Sequence, residues 1–251
     1  MKLLSLNIWG GKVAAPLVAF IEERASDTDI FCFQEVLKGG SGKTARGEMK
    51  DCYERIGEML ANHVGYFAGY GEGGYYSESL KGLDFEYGVA CFVKKELEQS
   101  LIGSVALYDL ETKWNDYNGG FAAGASLAVS VSGRAIINVH GLWQGSMKSD
   151  SEARFEQSRR ILGLADKAGG EKIICGDFNL EPDTKSINMI EDLPTRNLIK
   201  EYGIKSTRSG HYKKELKFAD YIFVSPELAV VDFKVLPDEV SDHLPLCLEF
   251  K

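Results

Sequence analysis

Five short blocks of this chain each end an apolar run with an acid, an amide or an imidazole side chain. They cover residues 4–7, 31–35, 136–140, 173–179 and, near the C-terminus, 218–221 together with 241–243. A short apolar run between polar residues is typical of a buried strand. The reactive side chains would then lie at strand ends, where a sheet can hold them rigidly around one cleft. Groups of these types around one cleft are suited to metal-assisted hydrolysis.

Three of these blocks offer oxygen ligands for a divalent cation. Mg²⁺ prefers oxygen and usually takes only one or two protein carboxylates, with water and substrate phosphate at its other positions. We expect Glu35 to bind the cation. Asn7 would add a neutral oxygen or orient the phosphate, and Asp242 would add a second carboxylate.

Asp177 and Asn179 stand two residues apart in the block Gly176-Asp177-Phe178-Asn179. In an extended segment, side chains two residues apart point to the same face. Both could therefore act on one reacting group. Asp177 would orient or deprotonate a water molecule, and Asn179 would bond the phosphate.

His140 and His243 are two of the four histidines, and each lies beside an apolar run in a turn-like context. A histidine can stabilise charge that develops on phosphorus, or act as acid or base, when a carboxylate fixes its tautomer. Asp220 is the expected partner of His243, and Glu86 is a candidate partner of His140. The predicted site is a cleft in which one cation, one activated water and two imidazoles face a phosphoryl group.

In this order, the blocks resemble the motifs of the endonuclease/exonuclease/phosphatase superfamily, which includes deoxyribonuclease I, exonuclease III-type repair nucleases, neutral sphingomyelinases and inositol polyphosphate 5-phosphatases. The matching positions are Leu6-Asn7 with Gly10, Gln34-Glu35, residues 176–179 with Pro182, Asp220-Tyr221 and residues 241–245. One match alone would be weak, whereas five in the family order over nearly the whole chain are specific. The resemblance implies a four-layer α/β/β/α sandwich, Mg²⁺ or Mn²⁺, and direct attack of water on phosphorus without a covalent enzyme intermediate.

Two positions narrow the resemblance. Members similar to deoxyribonuclease I and the sphingomyelinases carry a histidine at the position of His140. Exonuclease III-like enzymes usually lack this histidine, so the resemblance at His140 argues against an abasic-site repair enzyme. Those repair enzymes often have an acid where this chain has Trp9, so the second metal ligand stays open. Arg154 and Gln157 match an arginine and a glutamine often found after this histidine, and a purely structural role is the alternative for both.

The elements that must position these groups indicate an α/β protein with two packed sheets and helices outside. Apolar spacing predicts helices at 13–25, 49–62, 151–168 and 186–193. Strands are predicted at 1–6, 30–35, 64–68, 87–93, 101–107, 122–131, 134–142, 172–176, 219–224, 230–235 and 246–250. Because no linker or repeat interrupts the 251 residues, we expect a single domain over residues 1–251.

Composition limits the classes of partner and the compartment. A net charge of -8 opposes nonspecific attraction to long nucleic acids, although a basic rim around a cleft remains compatible with it. Five cysteines without a C-x-x-C motif predict reduced thiols and a cytoplasmic location. No apolar run reaches the about 18 residues of a membrane span. The apolar start stops at Asn7, which is short for a signal peptide.

The segment Gly39–Thr44 looks like a phosphate-binding loop but has Leu37 where the Walker pattern requires glycine. A flexible loop is therefore the simpler interpretation. The alternative is that Lys43 and Arg46 contact an anionic substrate from the cleft rim.

Aromatic residues and lysines in other loops are also considered as candidate substrate contacts. The aromatic residues of the 66–76 segment, those of 114–121 and Trp143 could stack on a base or sugar, although exposed aromatic residues are common in loops. The lysines at 213, 214 and 217 are interpreted as a solvated face.

The sequence predicts an Mg²⁺-dependent phosphodiesterase whose substrate is nuclease-like or a small phosphodiester. The expected partner is a phosphate ester, with a short nucleic acid as one case, and no obligate protein partner is expected. A phosphomonoesterase acting on a sugar or inositol phosphate remains open, as does a non-catalytic phosphate-binding protein. The resemblance implies that substrate choice depends on loops, which here are Lys38–Lys50, Gly69–Glu86 and Tyr108–Phe121.

Overall fold

Two six-stranded mixed sheets pack against each other in the computed structural model, which describes residues 1–69, 84–107, 124–145 and 147–251. The predicted loop at Tyr108–Phe121 and most of the one at Gly69–Glu86 lie outside the described residues. Side chains of both sheets form one large apolar core between them.

The first sheet contains the N-terminal and C-terminal strands. Its members are β1 (Lys2–Asn7), β2 (Ile30–Lys38), β3 (His63–Gly69), β4 (Glu86–Lys94), β11 (Val230–Val235) and β12 (Leu246–Phe250). Their order is β11-β12-β1-β2-β4-β3, and β1 runs parallel to β2. The predicted β-α-β opening is therefore present.

The second sheet contains the strands of the middle of the chain. Its members are β5 (Gln99–Ala106), β6 (Ala125–Val131), β7 (Arg134–His140), β8 (Lys172–Asp177), β9 (Arg196–Asn197) and β10 (Asp220–Val224). Their order is β5-β6-β7-β8-β10-β9. The strands β6 and β7 form the expected hairpin, and β7 runs parallel to β8.

Helices cover the outer faces of the sheets. They are α1 (Ala14–Arg24), α2 (Cys52–Met59), α3 (Glu152–Ala168), α4 (Lys185–Asp192) and α5 (Leu198–Glu201), with one 3-10 turn at Trp9–Gly11. Apolar residues of α1 and α2 pack on the first sheet, and α3 packs on the second. The predicted four-layer α/β/β/α sandwich is confirmed. Within the described ranges, the helices are too short or too polar to cross a membrane.

Several predicted boundaries differ from the structure, and hydrogen bonding explains two of these differences. The helix expected at 49–62 begins only at Cys52, because Met49 pairs with Lys43 in an isolated antiparallel bridge and the Lys50 N–H donates to the Gly42 carbonyl. The strand expected to stop at Glu35 continues to Lys38, because residues 36–38 pair with β4. The short elements β9 and α5 were not predicted.

Candidate active site

Asp177 lies between two other predicted site residues at one edge of the second sheet. It is the last residue of β8, and it pairs in register with His140 of β7 and Asp220 of β10. Because β7 and β8 are parallel while β10 is antiparallel to them, the ends of β7 and β8 meet the start of β10. Sheet register alone therefore gathers the three side chains. The His140 Nε2 atom lies 3.7 Å from Asp177 Oδ2.

Asn7 connects this edge to the first sheet. Its buried amide nitrogen donates to Glu35 Oε1 and to Asp177 Oδ2, each at 3.0 Å. Its amide oxygen accepts the N–H of Trp9 at 2.9 Å. In this arrangement Asn7 orients two carboxylates, while its role as a metal ligand stays a prediction.

A β-bulge places Glu35 at the cleft. The pairing of β2 with β4 shifts register between Phe33 and Val36, and Glu35 has a φ of 55°. This left-handed backbone conformation costs free energy in a residue with a side chain, so the surroundings must stabilise it.

Asn138 of β7 stabilises the bulge from the opposite sheet. Its amide nitrogen donates to the carbonyl oxygens of Phe33 and Ala90 at 3.0 and 2.9 Å. Its amide oxygen accepts a hydrogen bond from Gln34 at 2.6 Å. The same strand ends at His140, so one buried amide connects the position of Glu35 to that of the histidine.

The donor atoms around Asp177 fit a divalent metal ion. Glu35, His140 and Asp177 each offer a ligand atom within 4.8 Å of the others, and Asp177, Asp220 and His243 form a second such group. Carboxylate oxygens suit Mg²⁺ or Mn²⁺. Glu35 is thus in a position to hold a cation.

Asp242 lies in neither of these groups as far as the described residues extend. Its Oδ2 atom accepts a hydrogen bond from Arg208 at 3.3 Å. Burial, with a contribution from nearby Glu35, raises the pKa of this carboxyl above its usual range. Asp242 as a metal ligand stays a prediction.

His243 has the partner that the sequence predicts. Its Nδ1 atom lies 2.8 and 2.9 Å from the two carboxylate oxygens of Asp220, and Thr207 donates its hydroxyl to that carboxylate at 2.8 Å. Burial and Arg208 lower the pKa of His243. The three surrounding aspartates raise it by more than these two causes lower it, so the pKa lies above its usual value. Glu86, the candidate partner of His140, is exposed and lies 3.7 Å from the Lys38 ammonium.

The Asp177–Asn179 segment is a tight turn, so the expectation of an extended segment was wrong. Asp177 Oδ1 accepts the backbone N–H of Asn179 at 2.7 Å, and Asn179 has a φ of 55°. A short carboxylate can capture the N–H two residues ahead, which favours a turn. The Asn179 side chain donates to the carbonyl of Gly141 at 3.3 Å. Gly176 is required before the turn, since a Cβ there would lie 2.0 Å from the Val139 carbonyl oxygen.

Asp177 is ionised despite its burial. Burial alone would raise its pKa, but His243, His140, Arg208 and Lys148 together hold the pKa well below the usual range of an aspartate. An ionised carboxylate can accept a proton or hold a water molecule by hydrogen bonding.

Arg208, Lys148 and Thr207 were not identified from the sequence. Arg208 donates to His243 Nε2 and to Asp242, and Lys148 donates to the carbonyl of Phe218 at 2.7 Å. These residues stand singly in segments without periodicity or motif, so only the three-dimensional arrangement shows that they lie at the site.

Arg154 and Gln157 are structural, as the alternative interpretation stated. Arg154 is fully buried and donates to Gln144 Oε1 at 3.0 Å and to the carbonyl of Met147 at 2.9 Å. Gln157 accepts the N–H of Leu142 at 2.7 Å. Both therefore hold the loop that follows His140.

These residues open into one cleft of about 850 Å³. Its basic side chains are Lys12, Lys43, Arg46, Lys50, Lys148, Arg208, Lys213 and Lys214, and its acidic ones are Glu35, Glu48, Asp177 and Asp242. The cleft is therefore basic in a protein of net charge -8. Lys213 and Lys214 are exposed, in agreement with their interpretation as a solvated face, and they also line the cleft.

Aromatic residues also line this cleft. They are Trp9, Phe85, Tyr87, Trp143 and Tyr212. The ammonium groups of Lys12 and Lys214 lie 4.6 and 5.9 Å from the ring centres of Trp9 and Trp143. Of the tyrosines singled out in the 66–76 segment, Tyr70, Tyr75 and Tyr76 lie outside the described residues.

A two-sheet sandwich that gathers carboxylates, amides and a carboxylate-paired imidazole at one edge is suited to metal-assisted hydrolysis of phosphate esters. Residues 4–243 match the model of the Endonuclease/Exonuclease/phosphatase family, and the chain belongs to this family. Family members are phosphoesterase hydrolases and generally depend on a divalent metal, so this protein is a phosphoesterase. The non-catalytic alternative is therefore set aside.

Solved structures share the fold at low sequence identity. The mannosyl-6-phosphatase Bt3783 of Bacteroides thetaiotaomicron VPI-5482 has a TM-score of 0.71 at 16% identity, over 100% of this chain and 99% of that one. A humanized D. rerio TDP2 has a TM-score of 0.63 at 15% identity, over 100% and 98%. The human Nocturnin catalytic domain has 0.62 at 20% identity, over 100% and 93%. No curated protein sequence matches this chain.

Proposed function

We propose that this protein hydrolyses a phosphodiester with Mg²⁺ as its cofactor, by direct attack of water on phosphorus. The observation that supports this proposal is that Glu35, His140, Asp177 and the Asp220–His243 pair line or adjoin one cleft, although they are far apart in the chain. Mn²⁺ is the alternative cation. The active unit would be one domain over residues 1–251, since both sheets contribute to the cleft.

Glu35 would hold the metal ion, with Asn7 or Asp242 as further ligands, and the ion would stabilise negative charge on the phosphoryl group. Asp177 is ionised, so it would position a water molecule for in-line attack by accepting a hydrogen bond from it.

Two groups of this chain would bind the phosphoryl oxygens. Asn179 and His140 would hold the nonbridging oxygens from one end of the cleft. His243, fixed by Asp220 through Nδ1, would present its Nε2 atom to the charge that develops in the transition state. The aromatic residues at the cleft would contact the ester substituents.

A phosphomonoester of a sugar or inositol is the second candidate. The observation that favours it is the excess of basic side chains in the cleft, because a monoester carries more negative charge than a diester. The fold shared with a protein described as a mannosyl-6-phosphatase is compatible with this candidate. The cytoplasm is the proposed location, which the five free cysteines support.

The test compares bis-p-nitrophenyl phosphate with p-nitrophenyl phosphate in the presence of Mg²⁺, Mn²⁺ or EDTA. We expect turnover of the diester that EDTA abolishes and Mg²⁺ restores. Faster turnover of the monoester would favour the second candidate. Turnover of either compound that persists in EDTA would contradict the proposed metal dependence.

A further inference from the structure

Two buried cations lie against one aromatic ring in the cleft. The guanidinium carbon of Arg208 lies 4.2 Å from the ring centre of Tyr212, and the ammonium of Lys148 lies 5.6 Å from the same centre. The Arg208 side chain is only 7% exposed, and Lys148 is 6% exposed. Arg208 forms an ion pair with Asp242 at 3.3 Å, whereas Lys148 forms no ion pair with the described residues. The two buried positive charges repel each other, which is unfavourable unless an anion binds between them.

Both cations retain hydrogen-bond donors that the described residues do not use. Arg208 donates through one terminal nitrogen to Asp242 and His243, while its buried Nε atom has no hydrogen-bond partner among the described residues. Lys148 has three N–H donors and gives one to the carbonyl of Phe218. A buried donor without an acceptor costs about 1–3 kcal/mol, so these donors indicate a ligand that accepts hydrogen bonds.

The chemistry of this ligand follows from its surroundings. A guanidinium offers a planar pair of donors that matches a phosphate, and an ammonium offers a point charge to a third oxygen. Both groups adjoin the carboxylates at the reaction centre, since Asp177 and Asp220 both affect the pKa of Lys148. The anion is therefore at the reaction centre rather than on the outer rim of the cleft.

We propose that Arg208 and Lys148 form an anion site that binds the nonbridging oxygens of the reacting phosphoryl group. This inference rests on the proposed function, because it assigns two further residues to the same reaction. When the phosphoryl group binds, Arg208 exchanges its contact with His243 Nε2 for a phosphoryl oxygen. The imidazole nitrogen is thereby released toward the substrate. Because the protein supplies both charges itself, phosphate binds at this site without a metal ion.

The experiment measures inorganic phosphate binding by isothermal titration calorimetry in EDTA. Lys148→Met and Arg208→Met should each weaken binding at least tenfold, the effect of losing one charge-assisted hydrogen bond. In the double variant the second substitution should weaken binding by less than it does alone, because both cations bind one anion. The controls are Lys217→Met and Arg159→Met, which remove exposed cations outside the cleft lining. Phosphate affinity within twofold of the wild type in both cleft variants would overturn the proposal.

Arg208→Lys distinguishes a lost phosphate contact from a failure to fold, since this variant keeps the charge and removes only the planar donor pair. We expect a phosphate affinity between those of the wild type and Arg208→Met. We also expect a lower kcat with little change in melting temperature. Wild-type affinity in this variant would overturn the role of the guanidinium. Should the wild type bind phosphate through these cations but hydrolyse neither test ester, the proposed function fails while the anion site stands.

Discussion

Replacement of Lys148 by methionine should remove a large pH-dependent penalty from the free energy of unfolding. Burial, and secondly the adjacent Arg208, lower the pKa of this lysine from 10.5 to about 8. In the unfolded chain the ammonium is solvated and keeps its ordinary pKa. The folded protein therefore holds a charged group in a place that disfavours the charge, and we expect this cost to be retained for function.

The magnitude follows from the difference between the two pKa values. About 2.5 pKa units correspond to about 3 kcal/mol of destabilisation near pH 7, where the lysine is charged in both states. Between pH 8 and 10.5 the unfolded state binds more protons than the folded state, so stability of the wild type rises with pH. About 2 kcal/mol of the penalty should be gone by about pH 9.5. In the variant, the unpaired carbonyl of Phe218 offsets part of the gain near pH 7.

The assay is urea denaturation of wild type and Lys148→Met at a series of pH values in EDTA. The free energy of unfolding of the wild type should increase relative to that of the variant as pH rises through 8. Groups that titrate in both proteins cancel in this difference. Lys217→Met, which alters an exposed lysine, should show no such trend. A difference between wild type and Lys148→Met that stays constant over the whole range would refute the reasoning.

Three further substitutions test the site. His243→Ala should lower kcat by several orders of magnitude with little change in melting temperature, and near-normal turnover would contradict its role. Thr207→Val removes the hydroxyl that bonds Asp220 at 2.8 Å, so kcat should fall about tenfold and the pH profile of kcat should shift. Asn138→Leu leaves two buried carbonyls unpaired, which should cost about 2–4 kcal/mol in urea denaturation. The Mg²⁺ concentration for half-maximal activity should also rise, since the bulge at Glu35 loses its support. An unchanged Mg²⁺ requirement would show that Asn138 stabilises the fold without positioning Glu35 for metal binding.

Most strands and helices could be predicted from apolar periodicity, because most strands contain runs of buried residues and each main helix has one apolar face. The four-layer arrangement was predicted only through the resemblance to the family. The hairpin between β6 and β7 and the β-α-β opening were found in this way. The start of α2 was misplaced because Met49 pairs with Lys43 in an antiparallel bridge, a contact that local helix propensity does not contain. The elements β9 and α5 are two and four residues long, too short to show a period.

The residues at strand ends could be predicted, but their supporting contacts could not. Asp220 and His243 stand in recognisable motifs and do form a pair. Arg208 and Lys148 reach the cleft through loops whose path depends on tertiary packing. The conformation of Glu35 also escaped prediction, because a bulge arises from the mismatch between two strands rather than from the residue itself.

The buried amides of Asn7 and Asn138 determine how this protein should lose activity. The carboxylates of Glu35 and Asp177 belong to different sheets, and within the described parts of the chain a small set of hydrogen bonds from Asn7 and Asn138 holds their relative positions. A small slide of one layer over the other would separate them while leaving the hydrogen-bond ladders within each sheet intact. Mild denaturant should therefore inactivate the protein before circular dichroism detects any melting. Hydrogen exchange around Asn7 and Asn138, where the two sheets are hydrogen-bonded to each other, should be faster than in the strand centres.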